Sequence, residues 1–155
     1  MFWFMKAWAY SSTCKYIWKE ISKVQSSDCR YKTNNPELVG KVIRSTPYIS
    51  GIAAELFMKG YLIYKEEKPV EVRKLDHNLK LIREKCASFG DKRFLNDDLI
   101  FLTDTCGEHL MEDGGIRYPD KHEMPIYITV FEKALNVLQE LSSEVSNVLV
   151  KFPER

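Results

Sequence analysis

The chain has 155 residues, of which 45% are apolar and 29% charged, and a formal net charge of +1. That length supports one domain with a real core, and the composition is that of an ordinary soluble globular protein. Net charge therefore gives no argument for nucleic acid or an acidic membrane, and any such argument has to be local.

The first predicted element is a long amphipathic helix over about residues 3–25. Trp3, Ala7, Tyr10, Cys14, Ile17, Ile21 and Val24 alternate steps of four and three. Its aromatic start, MFWFMKAWAYSS, is interrupted by Lys6 and followed by no long apolar run, so no signal peptide or membrane span is expected. Ser26, Ser27 and Asp28 end the helix. Residues 26–45 read as a long connection with one short helical turn.

Thr46-Pro47 has the form of an N-cap followed by proline at the first helical position. The second helix is predicted over 47–66, with Ile49, Ile52, Ala53, Leu56, Gly60 and Ile63 as its buried face. Gly60 costs about 1 kcal/mol against alanine in mid-helix, which implies close passage of another helix. Glu55 and Lys59 form an i,i+4 pair on the opposite side.

Residues 67–74, with Pro69, read as a loop. Asp76 is placed as the cap of a third helix carrying Leu75, Leu79, Ile82, Cys86 and Phe89, closed by Gly90. A fourth helix, about 92–112, carries Leu95, Leu99, Leu102, Cys106 and Leu110, and Gly114-Gly115 stops it. Pro125 starts a fifth, with Tyr127, Phe131, Ala134, Leu138, Leu141, Val145 and Val148 as its stripe. Five helices and no convincing strand predict an all-α, up-and-down bundle in a single domain over 1–155.

The four cysteines, Cys14, Cys29, Cys86 and Cys106, include no CxxC pair, and three occupy apolar helical positions. This fits reduced thiols in a cytoplasmic protein better than a zinc site or disulfide scaffold.

In order along the chain stand GIAAELFMKGYLIYKEE, LDHNLKLIREKC, IRYPD and EKALNVLQEL. Their order and spacing resemble the HEPN domain family over about 47–150. The matches are Glu55 with Lys59, His77 with Leu79, Arg117 to Asp120, and Ala134. The resemblance implies a helical bundle, often a homodimer, from defence, toxin–antitoxin or stress systems. Some members of that family are metal-independent ribonucleases built on an Arg-x4–6-His motif. Others are partners of nucleotidyltransferase-like proteins or are proposed to bind nucleotides. Fold alone does not decide among these functions.

Arg117 and His122 have the family's spacing and are the catalytic candidates. An arginine fork suits a scissile phosphate, and an imidazole can take a ribose 2′-hydroxyl proton without any metal or cofactor. About 0.4 such pairs are expected by chance, so the spacing alone decides little. Pro119 between them lacks a backbone N–H, and residues 94–123 hold eight acidic side chains against two basic ones. Both features weigh against a phosphate site there.

Residues 59–93 hold ten basic side chains against six acidic. Lys59, His77, Lys80 and Arg83 are the binding candidates from this stretch. Lys65, Arg73, Lys74, Lys92 and Arg93 extend a basic rim, in which Tyr61 and Tyr64 are placed to stack on bases. The alternative is an ordinary solvated surface, with His77 holding a neighbouring helix. His109 with Asp104, Glu108 and Glu112 is a weak metal candidate, read first as a solvated face. The preferred function is an interaction module binding a protein partner, nucleotide or RNA. The alternatives are an endoribonuclease and a purely structural subunit whose aromatics at Trp3, Phe4 and Trp8 form an interface.

Overall fold

The computed structural model describes residues 2–26, 36–111 and 128–151, with side chains over 3–19, 47–107 and 129–147. The helices are α1 (Phe2–Ser26), α2 (Pro36–Tyr64), α3 (Pro69–Lys74), α4 (Leu79–Ala87), α5 (Asp97–Met111) and α6 (Ile128–Lys151), with a 3-10 turn over Lys92–Leu95. No strand occurs among the described residues, so the chain is all-α as its periodicity predicts. Among them, no helix is long and apolar enough to cross a membrane.

The central element is α2, against which every other helix packs. Ser50, Ala53, Ala54, Phe57, Met58, Tyr61 and Leu62 are all buried along it. Its start differs from expectation. The helix begins at Pro36 and runs straight through Pro47, so Thr46-Pro47 is not its N-terminus. Proline removes one N–H from the helical ladder, but Pro47 is buried here and its carbonyl accepts from the Cys106 Sγ of α5 at 3.4 Å. Tertiary packing thus carries the helix past a local stop signal.

The end of α2 has no glycine. Glu66 takes φ 65°, the Glu67 N–H donates to the Leu62 carbonyl and the Glu66 N–H to Ile63, both at 3.0 Å. These two bonds form a Schellman closure with glutamate in the position glycine usually fills.

Between α2 and α5 the chain is more helical than its charge and prolines suggest. Pro69, expected in a loop, stands at the first position of α3. The cap of α4 is Asn78 rather than Asp76: Asn78 Oδ1 accepts from the Leu81 N–H at 2.9 Å. Gly90, at φ 84°, closes the segment as expected. The fourth predicted helix divides into the 3-10 turn and α5, whose cap Asn96 accepts from the Leu99 N–H at 3.2 Å.

The inward stripe of α1 is Phe4, Ala7, Ser11, Cys14 and Trp18. Tyr10, expected in the core, is exposed, and Phe4, expected at an interface, is buried. α6 follows its prediction closely: Phe131, Ala134, Leu138, Leu141 and Val145 are buried, joined by Leu135. Predicted stripe positions Ile21, Val24, Leu110, Tyr127 and Val148 lie outside the described side chains. Between α1 and α6 lies a polar layer. Trp8 Nε1 donates to Ser142 Oγ at 3.0 Å, Gln139 Nε2 to Ser11 Oγ at 2.7 Å, and Lys15 to Gln139 Oε1.

Gly60 marks the crossing of α1 over α2. A Cβ placed there meets the Phe4 ring at 2.8 Å. Gly60→Ala therefore sets a propensity gain of about 1 kcal/mol against an overpacking cost of about 1–3 kcal/mol. Net destabilisation is expected in urea unfolding. In a Phe4→Ala background the sign is expected to reverse, because the obstructing ring is gone.

Candidate functional site

Three residues that carry the family resemblance meet where α2 passes the turn between α3 and α4. Glu55 and Lys59 lie one turn apart on α2, and His77 comes from the turn. Lys59 Nζ donates to Glu55 Oε1 at 2.7 Å and to the Asp76 carbonyl at 2.5 Å. His77 Nδ1 stands 3.0 and 3.2 Å from the two Glu55 oxygens. Asp76 takes φ 48°, a left-handed conformation that aspartate tolerates better than most residues. In that conformation its carbonyl caps the Lys59 ammonium.

The pair does not face solvent as its helical spacing suggests. Glu55 and Lys59 are each only 6% exposed. They are buried because this side of α2 lies against the turn between α3 and α4, from which the Asp76 carbonyl and His77 reach them. Lys59, a binding candidate from sequence, is instead spent within the fold, holding Glu55 and the turn. His77 is the open member of the group, with 61% of its side chain accessible. An Nδ1–H donated to Glu55 leaves Nε2 free to meet a ligand, the usual way a carboxylate fixes a histidine's tautomer. Nε2 lies 3.6 Å from the exposed Asp76 carboxylate. The solvent edge of the group therefore combines an oriented imidazole with a carboxylate, which suits an incoming donor or cation better than a phosphate.

The other candidates are dispersed. Lys80 is exposed at the start of α4. Arg83 is buried and does not reach a rim: its Nε donates to Thr103 Oγ1 at 3.0 Å and a terminal nitrogen donates to the Phe94 carbonyl at 3.3 Å. It ties α4 to α5 and to the 3-10 turn. Arg93 is held by Asp91 and bridges to Glu144 of α6, both at 2.7 Å. This guanidinium holds the Asp91 carboxyl below its ordinary range. Tyr61, placed by the sequence on a stacking surface, is a core residue with its ring centroid 4.7 Å from that of Phe94. Burial pushes its phenol up to about 12. Tyr64 is half-buried, and Lys65 lies over both tyrosine rings.

Arg117 and His122 lie outside the described residues, as do the side chains of Glu108, His109 and Glu112. No metal-binding cluster occurs among the described residues. What sequence reading missed is that Glu55 is the partner of His77. The one signal for it was that both belong to the same set of family-like motifs.

Cys14, Cys86 and Cys106 are free thiols, and all are buried. Burial raises the Cys14 thiol to about 11 and Cys106 to about 12, and Cys86 further still. Because the thiolate is the reactive form, these three are expected to resist a thiol reagent at pH 8 in the folded protein. All three are expected to label in guanidinium, as read by peptide mass spectrometry.

No family model, no curated protein and no solved structure matches this chain.

Proposed function

We propose that the chain is a HEPN-like helical interaction module of the cytoplasm. In this reading it acts as a homodimer and engages a protein partner, a nucleotide or RNA without cleaving it. A nucleotidyltransferase-like protein, in a defence, toxin–antitoxin or stress setting, is the kind of partner the resemblance implies. The observation that carries the reading is the convergence of Glu55, Lys59 and His77. Motifs separated along the chain make one interlocked group, as parts of a shared fold element should.

Two further features favour a protein partner over RNA. Tyr61 and Arg83 are drawn into the fold, and Arg93 is paired with Asp91 and Glu144, which removes a stacking ring and one cation from any RNA surface and offsets the charge of another. The accessible edge of His77 stands beside a carboxylate, which repels phosphate. Incubation of structured and single-stranded RNA with the purified protein in chelator tests the reading. Intact RNA at micromolar protein is the expected result. Cleavage that disappears in His122→Ala would overturn it in favour of an endoribonuclease using Arg117 and His122.

A further inference from the structure

The outer face of α1 carries a second stripe, opposite the one that packs on the core. Met5, Ala9, Ser12 and Tyr16 recur at steps of four, three and four, and all are exposed. Met5 is 66% and Tyr16 67% accessible, and Trp8 is partly so beside them. Steps of four and three along a helix make a continuous seam, the spacing by which one helix lies on another. Apolar and aromatic side chains gathered on one face of a soluble domain mark an interaction surface.

Charge indicates what covers that seam. Over Phe2–Ser26, α1 carries Lys6, Lys15, Lys19 and Lys23 against the one carboxylate Glu20. Beside this helix lies α6, joined to it by the Trp8–Ser142 and Gln139–Ser11 bonds. Over residues 129–147 α6 carries Glu132, Glu140 and Glu144 against Lys133. The groove between the two helices is lined by Trp8, Asn136, Gln139, Glu140, Ser143 and Glu144. One face thus joins a basic, aromatic ridge to an acidic one.

We infer that this face docks a second copy of the chain, about a two-fold axis that lays α1 of each copy on α6 of the other. A two-fold interface must be self-complementary. Laying α1 on α1 sets four lysines against four, with a single carboxylate on each side. Laying α1 on α6 sets lysines against glutamates twice over, with Trp8, Met5 and Tyr16 enclosed between the charged edges. An anionic lipid surface matches α1 but is repelled by the glutamates beside it. The inference rests on the dimeric reading above and adds the surface that makes the dimer.

Sedimentation velocity of the full chain at low salt tests it, with Lys19→Glu, Glu140→Lys and Tyr16→Asp. All three positions are exposed, and Glu144 is left alone because it holds Arg93. Circular dichroism melting identifies any variant that does not fold, and each of the three tests the same face. The expected result is a wild-type dimer that each variant weakens by about tenfold or more. An equimolar mixture of Lys19→Glu and Glu140→Lys is expected to restore the dimer, because both of its contacts then pair opposite charges. A wild-type dimer unaffected by the variants would overturn the assignment of this face and leave the dimeric reading standing. A wild type that stays monomeric at about 100 micromolar, weak even for a transient complex, would overturn both.

Discussion

Glu55→Ala is expected to be among the most damaging substitutions in the chain, destabilising it by about 3–5 kcal/mol. The substitution leaves the Lys59 ammonium almost wholly buried, with the Asp76 carbonyl as its one remaining partner among the described residues. It also releases His77 from the carboxylate that holds it to α2. Glu55→Leu combined with Lys59→Met removes both charges and replaces them with side chains of similar bulk. Because a buried ion pair costs much of its attraction in lost hydration, this double variant is expected to recover most of the loss. Chemical denaturation of Glu55→Leu, Lys59→Met and the double gives the coupling energy directly. A Glu55→Ala loss of less than about 1 kcal/mol, typical of a solvent-exposed pair, would show that these residues are not enclosed as described.

Phe94→Ala is expected to cost about 3–5 kcal/mol, and Leu95→Ala, one residue on, to stay within about 0.5 kcal/mol of wild type. Phe94 is fully buried, with its ring on Tyr61 and its carbonyl accepting from Arg83. Leu95 is 59% exposed. The helical stripe read from sequence places Leu95 inside and gives Phe94 no core role, so the two variants separate the 3-10 turn from a continuous helix. Equal losses at both positions, measured by urea unfolding, would restore the continuous helix.

The difference between those neighbours shows where the sequence could be read and where it could not. α6 was legible because one of its faces meets solvent, and a helix with one wet face writes a 3.6-residue period into its sequence. α2 was read with the wrong polarity for the opposite reason. Its more open face, with Tyr48 exposed and Ile49, Ile52, Leu56 and Ile63 partly so, is as apolar as its covered one, so periodicity does not fix the phase, and Glu55 and Lys59 look like an exposed pair although they are enclosed. The phase of α1 was ambiguous in another way. Aromatic residues at positions 2, 3, 4, 8 and 10 offer more than one apolar stripe, and the packing selects Phe4 and Ser11 over Trp3 and Tyr10.

Punctuation was misread where packing outweighs local preference. Thr46-Pro47 has every local mark of a helix start, yet the helix runs through it because a cost of about 3 kcal/mol can be met by burial. The left-handed positions of Glu66 and Asp76 carry no sequence mark, since neither is glycine.

The candidate site divides along the same line. His77 and Lys59 were identifiable as residues of interest, but not as members of one group. Their meeting depends on how α3 turns the chain back against α2.

The sequence by itself determined that this protein is helical, where α1 and α6 run, that Gly60 is a crossing point, and that most of its cysteines are core residues. Each of these follows from local periodicity or composition, which neighbouring residues settle among themselves. Only the tertiary structure decided which face of each helix is inside, that a salt bridge and an arginine are buried, and that Glu55 holds His77. Those outcomes depend on desolvation, and how much water a side chain loses is set by elements distant in the chain.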